Sequence, residues 1–387
     1  MEHTAVTVLE VGAILLAAAI AGRIARRLTL PAIVGYLAVG IAVSPFTPGY
    51  VADRTQVSLF AEVGAILLLF EVGIEVDLRE LRREHPGVIW AAPVQMAITF
   101  VVSFGAFFAL GLEAAAAALL GLAIAMSSSV VVVNITRSRR RTTDPETDRL
   151  LVGWSVLQDV IGVAAAIVLL AAFGAGQPIE RTLLGLVGFA ALAVLTAKLL
   201  PYLLAGMRHE PDLFLAVSVA TGLAVAGAGT LLAGIPLALA AFVAGLTISE
   251  GPVAKEARHR LLPFRDLFAI FFFVSIGTLI DPAALVRGLG WLALCLALVV
   301  VAKVLVIGVL GRFASVPADA AQLGVGLGQV GEFGFVLATV AVNRGVLPGE
   351  VYAALLAAVA ISIAASSILV RLVKAPVHAG HGTVRMG

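Results

Sequence analysis

Long apolar runs, separated by short polar clusters, dominate the chain from end to end. A helix needs about 20 mainly apolar residues to cross a bilayer. On that rule thirteen segments stand out, at roughly 5–24, 31–47, 57–75, 87–110, 114–135, 149–173, 180–204, 212–230, 233–249, 264–280, 289–311, 319–342 and 350–372. The connections between them are short and leave no room for an inserted soluble domain, and about fifteen residues follow the last segment. The N-terminal run has no arginine-flanked short apolar core with a cleavage site, so it reads as a retained helix. The pattern therefore predicts an all-α membrane protein with about thirteen transmembrane helices.

Charge in the loops tests that count. Lys and Arg collect on the cytoplasmic side of membrane proteins. With the N-terminus outside, one set of loops and the tail holds 20 of the 26 Lys and Arg residues, and the other set holds four. The dense loops carry Arg23, Arg26 and Arg27, then Arg79, Arg82 and Arg83, then Arg137, Arg139, Arg140, Arg141 and Arg149, then Lys255, Arg258, Arg260 and Arg265. A missed helix would scramble this alternation downstream. The expected placement is multi-pass in the cell membrane, N-terminus outside and C-terminus cytoplasmic.

Composition agrees and excludes much else. The chain has 387 residues, 61% hydrophobic and only 13% charged, where a soluble domain averages about 25% charged. Its net charge of +2 implies no nucleic-acid partner. Cys295 is the single cysteine, lies in an apolar run and reads as packing. The six histidines fall in tails and polar connections and form no metal cluster; His378 and His381 read as a solvated tail. Gly326-Leu-Gly-Gln-Val-Gly331 is a literal G-x-G-x-x-G, but apolar helical pattern flanks it on both sides where a dinucleotide site needs a strand before it. No Walker sequence appears, so ATP does not drive this protein, and neither an enzyme activity nor a cofactor is expected.

The chain repeats itself. Pro31-Ala-Ile-Val-Gly-Tyr-Leu-Ala-Val-Gly40 and Pro236-Leu-Ala-Leu-Ala-Ala-Phe-Val-Ala-Gly245 match at an offset of 205, and Gly73-Ile-Glu-Val-Asp77 and Gly277-Thr-Leu-Ile-Asp281 match at 204. The matching segments are seven apart, and an odd separation inverts one half relative to the other. Six helices, one linking helix and six helices make an inverted-topology repeat, a plan common in secondary transporters, with the site near the midplane between interrupted helices. The offset of 204 carries Ser128 in the fifth segment onto Glu332 in the twelfth. Those two segments hold the interruptions, Met126-Ser-Ser-Ser129 and Gly324-Val-Gly-Leu-Gly-Gln-Val-Gly-Glu-Phe-Gly334. Glycine and serine runs weaken a helix, and freed backbone at membrane depth is tolerated only beside protein or a water-filled cavity. Close helix packing by small residues is the plainer explanation of the serines.

Ionisable groups within the segments need a reason, because they are costly there. Asp159 sits midway along the sixth segment after Gln158, where a carboxylate is a hard oxygen ligand and a proton site. Lys303 sits midway along the eleventh. It partners a carboxylate, neutralises the negative ends of broken helices, or only holds helices together. Glu332 lies at the twelfth-segment break, capping half-helix donors or lining a cavity. Glu75 reads as solvated near the inner surface, with Glu71 one turn deeper; neither they nor Glu62 and Glu10 are assigned a role.

These residues together resemble the monovalent cation:proton antiporter-2 family, and within it the membrane domain of the glutathione-gated potassium efflux antiporters, which share the sodium/proton exchanger fold. The resemblance rests on Pro31–Gly40, Leu67–Asp77, Ser127–Val132, Gln158-Asp159, Phe271–Asp281, Lys303 and Gly328-Gln-Val-Gly-Glu-Phe-Gly-Phe335. It implies that Asp159 is the shared cation and proton carboxylate, with Gln158 and Ser127, Ser128 and Ser129 around it and Lys303, Glu332 and Gln329 in support. It implies two discontinuous crossing helices, a dimerising scaffold of 1–75 and 212–280, a moving core of 86–173 and 289–374, a linking helix at 178–206 and a short tail at 375–387. Family members of the efflux branch carry a nucleotide-binding domain after the last helix, and this sequence ends first, so gating is not expected. Charge-moving relatives have two adjacent aspartates where this chain has Gln158 and Asp159. The expectation is therefore exchange of K+ or Na+ for protons by alternating access, one for one, by a homodimer in the bilayer. An uncoupled channel-like pathway and a non-transporting scaffold or sensor are the rival readings.

Overall fold

The computed structural model describes residues 2–28, 30–48, 54–76, 83–136, 143–173, 179–249 and 253–373. Arg79, Arg82, Arg137–Arg141, Asp77 and the tail with His378, His381 and Arg385 lie outside the described residues. Among the described residues the secondary structure is entirely helical. The helices are α1 (Glu2–Arg27), α2 (Ala32–Ala42), α3 (Arg54–Glu75), α4 (Pro86–Ala109), α5 (Ala114–Ala125), α6 (Ser129–Thr136), α7 (Pro145–Ala172) and α8 (Ile179–Gly206). There follow α9 (Pro211–Ala233), α10 (Leu237–Ser249), α11 (Ala254–Thr278), α12 (Pro282–Arg287), α13 (Leu289–Phe313), α14 (Ala320–Gly326), α15 (Phe333–Asn343) and α16 (Gly349–Leu372).

Each of the thirteen apolar segments coincides with one helix or one broken pair. Segment five is α5 and α6, and segment twelve is α14 and α15. Three differences have physical causes. Helix α11 begins ten residues before the apolar pattern does, because Lys255, Arg258, Arg260 and Arg265 occupy its first half. The short helix α12 was not expected; Asp281 starts it by accepting from the Ala283 N–H at 2.8 Å, with Pro282 at the first position. Helix α13 is not regular: a π turn spans Val299–Val304 between α-helical halves.

Lipid offers no hydrophobic reward for bringing helices together, so close packing needs small residues. The repeat supplies them in pairs. A Cβ built on Gly40 would lie 2.7 Å from Gly277 Cα, and one on Gly277 would lie 2.8 Å from Gly40 Cα. A Cβ on Gly73 would lie 2.9 Å from Gly245 Cα, and one on Gly245 would lie 2.8 Å from Gly73 Cα. Helix α2 thus crosses α11 backbone to backbone, and α3 crosses α10 the same way. The repeat exchanges Gly40 with Gly245 and Gly73 with Gly277, so each contact is the image of the other.

The packing falls into two groups. Helix α3 lies against α10 and α11, and α2 against α1 and α11, with α8 outside α9 and α10. In the other group α4 packs on α5, α7 and α13, and α16 on α13 and α15. The groups meet where α7 touches α10, where α16 touches α2, and where two rings of α15 stand edge-on to rings of the first group: Phe333 to Phe242 and Phe335 to Phe273, with centroids 5.7 and 5.9 Å apart.

A buried ion cluster ties α3 to α11. Glu71 is fully buried and takes Arg258 Nε at 2.6 Å and Arg265 Nη1 at 2.7 Å. Arg258 also pairs with Glu75 at 2.5 Å, so Glu75 is a paired group and not simply solvated. Helix α7, which carries Asp159, starts at a strong cap. Asp144 accepts from the Glu146 and Thr147 N–H groups, both at 3.0 Å, and from the Thr147 hydroxyl at 2.7 Å. Partial burial works to raise the Asp144 pKa, but these donors outweigh it and hold the carboxyl below its ordinary value.

Candidate functional site

The two breaks meet. Residues 126–128 join α5 to α6 and residues 327–332 join α14 to α15 in non-helical backbone, and they touch directly. Gly331 donates its N–H to the Met126 carbonyl at 3.1 Å, and the Ser127 hydroxyl donates to the Leu327 carbonyl at 2.8 Å. A Cβ on Gly331 would press on the Ser127 carbonyl carbon at 2.8 Å, which is why this close approach requires glycine.

Broken helices inside a membrane leave backbone groups that must find partners. Lys303 satisfies two of them. Its fully buried ammonium donates to the Met126 carbonyl and to the Gln329 carbonyl, both at 2.6 Å. Met126 is the C-cap of α5 and Gln329 lies within the second break, three residues beyond α14, so one buried side chain answers a carbonyl from each break. The sequence left open whether Lys303 partners a carboxylate or the helix ends. It bonds the carbonyls, and among the described residues it forms no ion pair.

Side chains from neighbouring helices satisfy the freed N–H groups. Gln158 Oε1 accepts from the Ser127 N–H at 3.1 Å in the first break. Ser362 Oγ accepts from the Val330 N–H at 3.1 Å in the second. Ser128 Oγ caps α6 by accepting from the Val131 N–H at 3.2 Å. Gln329 Nε2 donates to the Ser128 carbonyl at 3.4 Å, and the Ser366 hydroxyl donates to Gln329 Oε1 at 3.3 Å and to the Val325 carbonyl at 2.7 Å. The sequence reading missed Ser362 and Ser366, which lie one helical turn apart on the buried face of α16. It also missed Gln95, Thr99 and Ser103, four apart on the buried face of α4. A run of polar residues at i, i+4 and i+8 in an apolar helix was the available signal.

Asp159 differs from all of these. It is 1% exposed, and neither of its carboxylate oxygens has a hydrogen-bond partner among the described residues. A buried polar atom without a partner is rare and needs an explanation. Asp159 lies beside Ser129, the first residue of α6, and the charged groups close enough to act on it are Glu332, Glu75 and Lys303. Glu332 is also buried, and the Ser129 hydroxyl reaches its Oε1 at 3.5 Å. All eight residues expected at the site, Asp159, Gln158, Ser127, Ser128, Ser129, Lys303, Glu332 and Gln329, come together at the crossing.

A cavity of about 1550 Å³ leads toward them between the two helix groups. Arg26, Arg27, Lys255 and Arg371 stand among its lining residues, with Glu75, Arg258 and Arg265 along one wall, and Glu332 and Ser367 on the side of the crossing. A smaller cavity of about 530 Å³ lies at the other end of α11, lined in part by Asp281, Arg287 and Glu350. Among the described residues no group of three His, Cys, Asp or Glu side chains is placed to hold a resident metal.

This architecture has counterparts. The chain superposes on the sodium proton antiporter MjNhaP1 from Methanocaldococcus jannaschii at pH 8 with a TM-score of 0.74, covering 96% of this chain and 99% of that one, at 18% identity, a likeness of fold. It is 30% identical over 395 residues to YbaL of Escherichia coli (strain K12), a protein designated a cation/proton antiporter, with 97% of this chain and 70% of that protein covered. The model of the sodium/hydrogen exchanger transmembrane family matches residues 13–375. The chain therefore belongs to the sodium/hydrogen exchanger family of multi-pass membrane transporters.

Proposed function

We propose that this chain, a cation/proton antiporter by family, performs its exchange at Asp159. The observation that carries the reading is the carboxylate itself: buried at mid-helix, without a hydrogen-bond partner among the described residues, and set beside the crossing where two broken helices expose hydroxyls and carbonyls. A bare carboxylate is costly to keep or move there. A proton or a small monovalent cation relieves that cost, and the two compete for one site. The Ser129 hydroxyl and freed carbonyls of the crossing replace part of a cation's water. Gln158 and Gln329 have their amides committed to the breaks, so they hold the frame while Asp159 exchanges ligands. Lys303 is a fixed charge that neutralises the helix ends.

In this reading the cavity that reaches Glu332 is the entry from the arginine-rich side, which the distribution of Lys and Arg makes cytoplasmic. The helices α4–α7 and α13–α16 are the part that moves, carrying the crossing past a scaffold of α1–α3 and α9–α11, with two copies joined through the scaffold. With Asp159 as the one group that changes ligand, a single charge is exchanged for a single charge and transport is electroneutral. Reconstituted protein with a trapped pH dye tests this, with Na+ and K+ added in turn. Each transported cation should release protons from one side without current under a clamped potential. Exchange that persists in Asp159→Asn would overturn the site, and net current would overturn the stoichiometry.

A further inference from the structure

The π turn of α13 places Lys303, and something outside the helix holds that turn. A π turn closes its hydrogen bonds over one more residue than an α-helix, is rare, and is frequently found at functional sites. Here it ends within one residue of Lys303. The carbonyl of Ala302, inside the turn, accepts a hydrogen bond from the Thr99 hydroxyl of α4 at 2.5 Å, buried and 203 residues away in the chain. Thr99 in turn accepts from Gln95 Nε2 at 3.0 Å. Gln95 Oε1 accepts from Gln158 Nε2 at 2.6 Å and from Trp154 Nε1 at 3.3 Å. Gln158 Oε1 accepts from the Ser127 N–H at 3.1 Å.

These bonds form one chain with a single direction. Every donor points the same way: Ser127 N–H to Gln158, Gln158 to Gln95, Gln95 to Thr99, and Thr99 to the Ala302 carbonyl. Hydrogen bonds aligned in series polarise one another and strengthen together. The chain starts at the break that flanks Asp159 and ends at the turn that aims Lys303, and both amides and the hydroxyl are fully buried.

We propose that Thr99 is a positioning residue for exchange: its hydroxyl holds the π turn in the register that sets Lys303 between the Met126 and Gln329 carbonyls, and so fixes the positive charge that faces Asp159. The charged group that acts on that amino group is Asp159 on α7; α4 and α5 carry no charged residue. If Lys303 shifts, both the closing of the half-helix ends and the field at Asp159 change, although no ligand of the cation has been touched. The inference rests on the Asp159 reading only through that last step.

Thr99→Val keeps the shape and removes the hydroxyl, and Thr99→Ser keeps the hydroxyl and removes the methyl. In proteoliposomes Thr99→Val should lower exchange roughly tenfold, about the worth of one buried hydrogen bond in rate, and displace the pH of half-maximal exchange. Thr99→Ser should behave as the natural protein does. A Thr99→Val protein with unchanged rate and pH profile overturns the proposal, as does a Thr99→Ser protein as impaired as Thr99→Val. If Thr99→Val does not yield folded protein, Thr99→Ala against Thr99→Ser makes the same comparison. Thermal melting of the pair in a Lys303→Ala background separates positioning from packing. The loss caused by Thr99→Val should shrink there, and an undiminished loss means that Thr99 serves α4 and not Lys303. None of these outcomes alters what Asp159→Asn shows.

Discussion

The two breaks are copies that have parted company. At the offset of 204 residues Gln158 corresponds to Ser362, Asp159 to Ile363, Ser128 to Glu332 and Thr99 to Lys303. The architectural task is shared: Gln158 and Ser362 each accept from a backbone N–H of their own break, and Lys303 takes one carbonyl from each. The chemistry is not shared. One half supplies the unpartnered carboxylate, and the other supplies the fixed cation and a second acidic group at the cavity. Duplication makes the frame, and single substitutions at matched positions make it a site.

Substitutions that erase the inequality should do the most damage. Asp159→Asn gives the first half an uncharged residue like that of the second. Cation-driven proton release should vanish while yield and melting behaviour stay near those of the natural protein. Full exchange by the variant would mean that the carboxylate lies elsewhere.

Lys303→Ala removes the group both halves share. Two buried carbonyls lose a charged donor, at roughly 3 kcal/mol in sum. Thermal melting in detergent should fall clearly, and exchange with it. A variant as stable as the natural protein would show that the helix ends do not need the ammonium.

Comparing the two N–H acceptors sharpens the argument. Gln158→Leu strands the Ser127 N–H and one link of the Gln95 network, at about 2 kcal/mol, whereas Ser362→Ala strands only the Val330 N–H, at about 1 kcal/mol. Melting curves for both should rank them in that order. Exchange should suffer more from Gln158→Leu, since Asp159 is its neighbour. Equal losses of exchange would mean that proximity to the carboxylate does not matter.

The smallest effect on exchange is expected from Ser127→Ala with Ser128→Ala. From the sequence alone the loss of these hydroxyls should weaken cation affinity and spare stability. The geometry changes the second half of that expectation. Ser127 bonds the Leu327 carbonyl and Ser128 caps α6, so about 2 kcal/mol of stability goes as well. Unchanged affinity with lowered melting would reduce both serines to structural residues.

Much of this was legible beforehand, and for a definite reason. Lipid forces each crossing into an apolar run of fixed length, so the helix count, the repeat and the two interruptions are written in the order of residues. Asp159 and Lys303 stood out because charge is rare at that depth. What the order of residues does not display is which helix faces which. The Lys303 partners, the Gln95–Thr99 chain and the burial of Glu71 between Arg258 and Arg265 all depend on contacts between segments far apart. Glu75 shows the limit well: it reads as solvated in the sequence, but its ion pair with Arg258 comes from α11 folding against α3.

The paired glycines limit how such a chain can drift over evolutionary time. Gly12, Gly105, Gly188 and Gly227 face open space, and there a larger residue meets nothing. Gly40, Gly73, Gly245 and Gly277 each face the backbone of a partner from the other half, so no companion substitution can make room: the obstacle is main chain, which has no smaller variant. A duplicated ancestor that adopted this contact once adopted it twice. From then on the two halves were free to diverge in charge at the crossing but were held to the same residue at the seams, which is why the repeat is still visible there and faint elsewhere.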